Sequence, residues 1–209
     1  ICPSLNVVRG RRLTCARNPE AFARLAWRAC QKAGNLRFVW IGDGPPADIQ
    51  EDTVNIDSLE AKKKITKKTK AIIPVHFAGH PAEMDKIHNM AKKHNLIIIE
   101  DACHALGAEY KISGNWSKVG SVKYSDMAVF SFHPVKAITT GEGGAVVTNN
   151  KKFYEKLIMF RNHGITKRSS DFKYQALTSG GPRYYEMQEL GFNYRITDIQ
   201  AAMGVSQMK

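Results

Sequence analysis

Three short stretches of this chain hold residue types that could act together as chemistry. The run Leu96-Ile97-Ile98-Ile99-Glu100-Asp101 is an apolar strand that ends in two acids. Ligands of open α/β sheets bind at strand ends, and a carboxylate in an apolar setting needs a cationic partner. Next, Phe130-Ser131-Phe132-His133-Pro134-Val135-Lys136 delivers a hydroxyl, an imidazole and an amine from one apolar strand. A lysine beside apolar neighbours can lose its proton and attack carbonyls. Finally, Thr139-Thr140-Gly141-Glu142-Gly143-Gly144 is a Gly-rich turn before another strand; it lets backbone approach a ligand closely but lacks the P-loop pattern. Taken singly, each has an ordinary reading: a turn acid, a surface lysine, a tight turn. Jointly they suit pyridoxal phosphate, which needs a lysine amine for its aldehyde and an acid to keep its ring nitrogen protonated.

The elements that must position these residues alternate between helix and strand. A helix is expected from Asn18-Pro19-Glu20, with Asn as cap and Pro at the first helical position, to a stop at Gly34. Leu36–Ile41 reads as a strand, followed by the turn cluster Gly42–Pro46. Beyond it come a Lys-rich helix over 58–68, a buried strand over 71–76, a helix over 81–94, and the strand ending at Asp101. Residues 111–119 read as a polar hairpin or loop, 127–132 and 144–148 as strands, 153–160 and 197–208 as helices, and 166–182 as a mobile loop. The fold class expected is α/β, a mixed, mostly parallel sheet flanked by helices.

Composition bounds the function. The 209 residues, 43% hydrophobic and 24% charged, describe a globular chain of one to one and a half domains. No apolar run approaches the ~18–20 residues of a membrane span. The start, Ile1-Cys2-Pro3, carries neither a secretory pattern nor an initiator Met, and a fragment is the expectation. Four cysteines without a C-x-x-C pair suit reduced thiols in a cytoplasm. The net charge of +12 includes Lys62, Lys63, Lys64, Lys67, Lys68 and Lys70. Such a run is ordinarily a solvated helix face. With no aromatics interleaved and no nucleic-acid motif, steering of a small anionic substrate is a better use of the charge than nucleic acid. His76 and His80 have a metal-compatible spacing but lack a third ligand, so no metal site is expected.

Several stretches resemble the DegT/StrS-type sugar-nucleotide aminotransferases, which are pyridoxal-phosphate enzymes of the aspartate-aminotransferase fold. They are Val75–Pro81, Glu100-Asp101-Ala102-Cys103-His104-Ala105-Leu106-Gly107-Ala108, Phe130–Lys136 with Thr140–Gly144, Phe160-Arg161-Asn162-His163-Gly164, and Gly191-Phe192-Asn193-Tyr194-Arg195 through Ala202. The resemblance covers residues 47–209, an incomplete large domain, and His133–Lys136 is most similar to the branch that aminates UDP-linked 4-keto-6-deoxy-N-acetylhexosamines on the way to pseudaminic-acid-type sugars. It implies Lys136 as the Schiff-base lysine and proton shuttle, Asp101 on the pyridinium nitrogen, His104 beside the ring hydroxyl and Ser131 on the phosphate. It also implies Asn193 on the phosphate of a neighbouring subunit's cofactor, hence a homodimer. His133, His163, Tyr194 and Arg195 are candidates for substrate contact. The implied reaction is transamination of a nucleotide-linked keto-sugar, with glutamate as amino donor, in surface polysaccharide synthesis in the cytoplasm.

Residues 1–46 lack the family's phosphate-binding helix and its ring-stacking aromatic. They resemble instead, through Arg12–Phe22 and Phe38–Pro45, the start of a nucleotide-sugar-binding domain of a group-one glycosyltransferase. A join near Pro46-Ala47 is therefore expected. A glycosyltransferase and a non-catalytic basic binding domain stand as the alternative functions.

Overall fold

The computed structural model describes residues 49–173 and 184–208, with the backbone of three short strands before them. Seven strands form the main sheet: β1 (Val7–Val8), β2 (Arg11–Ala16), β3 (Arg37–Trp40), β4 (Thr69–Ile73), β5 (Ile97–Asp101), β8 (Met127–Ser131) and β9 (Gly144–Thr148), in the order β1-β2-β9-β8-β5-β4-β3. The β3–β4, β4–β5 and β5–β8 pairs are parallel, and the β8–β9, β9–β2 and β2–β1 pairs antiparallel. Only β9 and β1 run against the common direction, so the sheet is mixed with most strands parallel in sense. Strands from both sides of the expected join at residue 46 share this sheet. The helix expected over 18–34 lies outside the described residues.

Two apolar layers sandwich the sheet. On one face, Ile72, Ile98, Ala128, Phe130 and Val147 pack with Ile87, Met90 and Ala91 of α2 (Met84–His94). The small hairpin of β6 (Glu109–Ile112) and β7 (Asn115–Lys118) adds Tyr110 and Ile112 to that layer. On the other face, Ile73, Ile99, Met127, Val129 and Val146 pack with Leu157 and Phe160 of α3 (Lys151–Arg161). Buried strands of this kind need no polar alternation, which is why β8 and β9 are buried at every position.

Several element boundaries depart from the sequence expectation for local reasons. Helix α1 covers Ser58–Lys63, with the Asp57 side chain capping Leu59 and Glu60, and stops short of Lys68. There the Thr69 hydroxyl accepts from Thr66 N–H and competes with helical bonding. Strand β4 ends at Ile73 rather than residue 76 because Pro74 has no N–H for the ladder; its carbonyl instead accepts the Asp101 N–H. Helix α2 begins at Met84, not Pro81, since the Ala82 N–H is taken by His76 Nδ1. The last helix, α4 (Asp198–Gln207), opens with a capping box between Thr197 and Gln200. Among the described residues no helix is long and apolar enough to cross a membrane.

Candidate active site

The β5–β8 register brings the first two chemical stretches together. Asp101 pairs with Val129, two residues before Ser131, so Asp101 and Ser131 lie at the same end of adjacent parallel strands. Strand alternation puts both on the sheet face that holds Ile99, Met127 and Val129, the α3 side. Asp101 is half-buried; its Oδ1 accepts the Cys103 N–H at 3.1 Å, and its second oxygen has no partner among the described residues. Ser131 is buried, and its Oγ accepts the His133 N–H at 3.3 Å.

Lys136 sits on the loop that returns from β8 to β9. His133-Pro134-Val135-Lys136 is a turn closed by Lys136 N–H to His133 O at 2.9 Å, with Pro134 where a turn favours its fixed φ. The loop is fastened at its base, where Phe132 N–H donates to Gly143 O and Thr140 N–H to Phe132 O. Since Ser131 pairs with Gly144, the Gly-rich turn returns to the same sheet end. Gly141, at φ 75°, takes a backbone conformation that favours glycine. Lys136 is half-buried, and its amine has no ion pair or hydrogen bond among the described residues. The loop that bears Lys136 therefore leaves the same sheet end at which Asp101 and Ser131 lie.

His104 follows β5 in an exposed turn, its ring edge-on to Phe77 with centroids 6.1 Å apart. His133 is half-buried beside Ser131, and His163 is exposed, at φ 60°. The stretch after α3 meets the stretch before α4 through an Asn162–Asn193 bridge, and Arg195 donates to Asn162 Oδ1 at 2.7 Å. Tyr194 stacks on Phe192 at 4.9 Å and packs on the α3-side core. Asn193 and Arg195 line an open cleft of about 450 Å³ with Ile196, Thr197 and Asp198. Lys136, Asp101 and Ser131 do not line it.

Sequence reasoning missed the device that joins the stretch after α3 to the stretch before α4. A Cβ on Gly164 would stand 1.7 Å from the Glu189 carbonyl oxygen, and one on Gly191 would stand 2.1 Å from the Gly164 nitrogen. The two glycines let backbone press on backbone; their presence in the quoted motifs was the available signal. A larger hollow of about 500 Å³, lined by Lys67, Lys70, His94 and Asn95 among others, lies at the opposite end of the sheet, by the start of β4. His76 is not a free metal ligand, since both its ring nitrogens are engaged by Ala82 and Glu100.

The same organisation recurs in known proteins. A family model described as the DegT/DnrJ/EryC1/StrS aminotransferase family matches residues 38–209. The chain belongs to this aminotransferase family. Within the DegT/DnrJ/EryC1/StrS family it is 48% identical over 162 residues to an uncharacterized protein of Methanocaldococcus jannaschii, covering 78% of this chain and 39% of that protein. It is 41% identical over 197 residues to the UDP-4-amino-4,6-dideoxy-N-acetyl-beta-L-altrosamine transaminase of Campylobacter jejuni, covering 91% of this chain and 44% of that one. Helicobacter pylori PseC, an aminotransferase of pseudaminic acid biosynthesis, superposes with a TM-score of 0.76 at 31% identity, covering 94% of this chain and 53% of PseC. The chain thus spans well under two thirds of the length of these relatives.

Proposed function

We propose that this chain forms the cofactor-binding part of a pyridoxal-phosphate-dependent aminotransferase that aminates a nucleotide-linked keto-sugar of the 4-keto-6-deoxyhexose type, with glutamate as amino donor. The setting is surface polysaccharide or glycan synthesis in the cytoplasm. The observation that carries this reading is the β5–β8 register, with the acid and the hydroxyl at one strand end and the lysine on the adjoining loop. The donor set fits the cofactor: a half-buried carboxylate with one oxygen unengaged for a cationic ring nitrogen, an unpaired amine for an aldehyde, and a buried hydroxyl for a phosphate. When bound, the cofactor supplies the electron sink that lets a substrate carbon lose its proton.

This chain's residues then divide the work. Asp101 would keep a proton on the ring nitrogen through its charge. Lys136 would hold the cofactor through its amine and would move the proton as general base and acid. Ser131 Oγ would donate to the phosphate, and His104 is the proposed contact for the ring. Asn193 lines an open cleft with Arg195 and is proposed to serve a neighbouring subunit's cofactor in a homodimer. Arg195, Tyr194, His163 and His133 remain candidates for the sugar nucleotide. The division near Pro46-Ala47 is proposed as one of sequence origin.

The test is chemical. The chain is incubated with pyridoxal phosphate, treated with borohydride and digested. A cofactor mass increment on the peptide containing Lys136, lost in Lys136→Ala, is expected; an unmodified peptide, or label scattered equally over surface lysines, refutes the reading.

A further inference from the structure

Behind the strand end that carries Asp101 lies a buried polar couple for which the proposed reaction has no use. His76 and Glu100 side chains are each 0% exposed, with His76 Nε2 3.0 Å from Glu100 Oε2. His76 Nδ1 accepts the Ala82 N–H at 3.0 Å. The ring proton therefore sits on Nε2 and is donated to Glu100. Ser125 Oγ donates to the other carboxylate oxygen, Oε1. A buried carboxylate deprived of a donor is heavily penalised, so this couple resists displacement.

Its position links two residues of the candidate site. Glu100 immediately precedes Asp101 and faces the opposite side of β5. The His76 N–H donates to the Asp101 carbonyl at 3.0 Å, and the Asp101 N–H donates to Pro74 O at 2.8 Å. The segment after His76 abuts His104. The Phe77 ring meets the His104 ring edge-on, and a Cβ on Gly79 would stand 3.1 Å from the His104 carbonyl oxygen. Buried Asn55 holds the same segment, donating to His80 O at 3.0 Å and accepting from Phe77 N–H at 2.9 Å.

We propose that His76, with Glu100 as its buried partner, is a positioning residue that locks the end of β5 to the 76–82 segment, so that Asp101 and His104 are presented to the cofactor as one rigid unit. This rests on the reading of those two residues as cofactor contacts; His76 acts only through them.

Two substitutions separate the bonds of the ring. His76→Asn keeps an acceptor for Ala82 but loses the donor to Glu100, whereas His76→Gln keeps a donor at the Nε2 position. Amide exchange of the 209-residue chain and its pyridoxal phosphate dissociation constant are measured for each. In His76→Asn, exchange at Asp101 and Cys103 is expected to quicken about tenfold or more, with no matching change in the β8–β9 ladder. Cofactor affinity falls by a similar factor, and His76→Gln restores both to within about threefold. If His76→Asn does not fold, Ser125→Ala, which removes the other donor to Glu100, carries the test with the same two readouts. Unchanged exchange at Asp101 and Cys103, a rise shared equally by the β8–β9 ladder, or parental cofactor affinity in the variant overturns the positioning role. A parent chain that takes up no cofactor overturns the aminotransferase reading, and this role with it.

Discussion

Ser131 gives the cleanest readout among the single residues of the site, because the only hydrogen bond of its hydroxyl among the described residues is a long one from a backbone N–H. Ser131→Ala should leave folding intact and weaken pyridoxal phosphate by about 10–100-fold, the worth of one hydrogen bond to a charged group, as read by titration of cofactor absorbance. Tyr110 offers a pH test on the other face. It is 6% exposed, and burial first, then the nearby Glu100 charge, raise its phenol well above the ordinary value of 10.0. Below pH 10 the phenol is neutral whether the chain is folded or not, and it adds no pH dependence. As pH climbs above 10 the unfolded chain ionises first, so stability drains by up to ~1.4 kcal/mol per pH unit. Tyr110→Phe should flatten that decline, seen as a smaller fall in unfolding free energy between neutral and strongly alkaline buffer; equal slopes in both proteins would refute it. Asp101, Ser131 and Lys136 could be singled out in the sequence because they close or follow apolar strands, but the register that sets Asp101 beside Ser131 could not. Nor was His76 legible, since its partner is fixed only when β4 and β5 align.

Among the elements, the closure between the end of α3 and the stretch before α4 depends on the facing pair Gly164 and Gly191. Gly164→Ala would drive a methyl into the Glu189 carbonyl and strain a residue at φ 69°. The expected outcome is separation of residues 186–195 from α3, detected as faster exchange at Phe192 and Tyr194, whose N–H groups donate to Phe160 and Arg161 carbonyls. Protection of the β5–β8 ladder should persist. Unaltered exchange at both positions would count against this closure. Strands β5, β8 and β9 could be read from their apolar runs and bounding turns, whereas the hairpin of 109–118 was legible only as a polar hairpin or loop over 111–119. The start of α2 could not, because the bond that delays it comes from His76, outside any helical pattern. Nor could the Gly164–Gly191 contact, which joins distant segments through backbone alone.

For the molecule as a whole, one exposed apolar face among the described residues lies on the last helix. Helix α4 buries only Ala201 and leaves Ile199 79% and Val205 50% exposed. A second copy of the chain is the occupant that the proposed function assigns to this face. Sedimentation should therefore show a concentration-dependent dimer that Ile199→Glu shifts to monomer; a monomer at all concentrations would refute the pairing. Lys67 and Lys70 line the hollow at the start of β4, at the sheet end opposite Asp101, so any pull of theirs on an anionic ligand acts through the overall charge of +12 rather than at the candidate site. A last consequence follows from the three isoleucines of β5, Ile97, Ile98 and Ile99, which are followed by acids committed to opposite faces. Gain or loss of one isoleucine codon would leave the greasy triplet looking nearly the same, yet would turn each acid towards the side that belongs to the other. Heredity should therefore forgive spelling changes among the aliphatic letters of this strand far more readily than a change in its length.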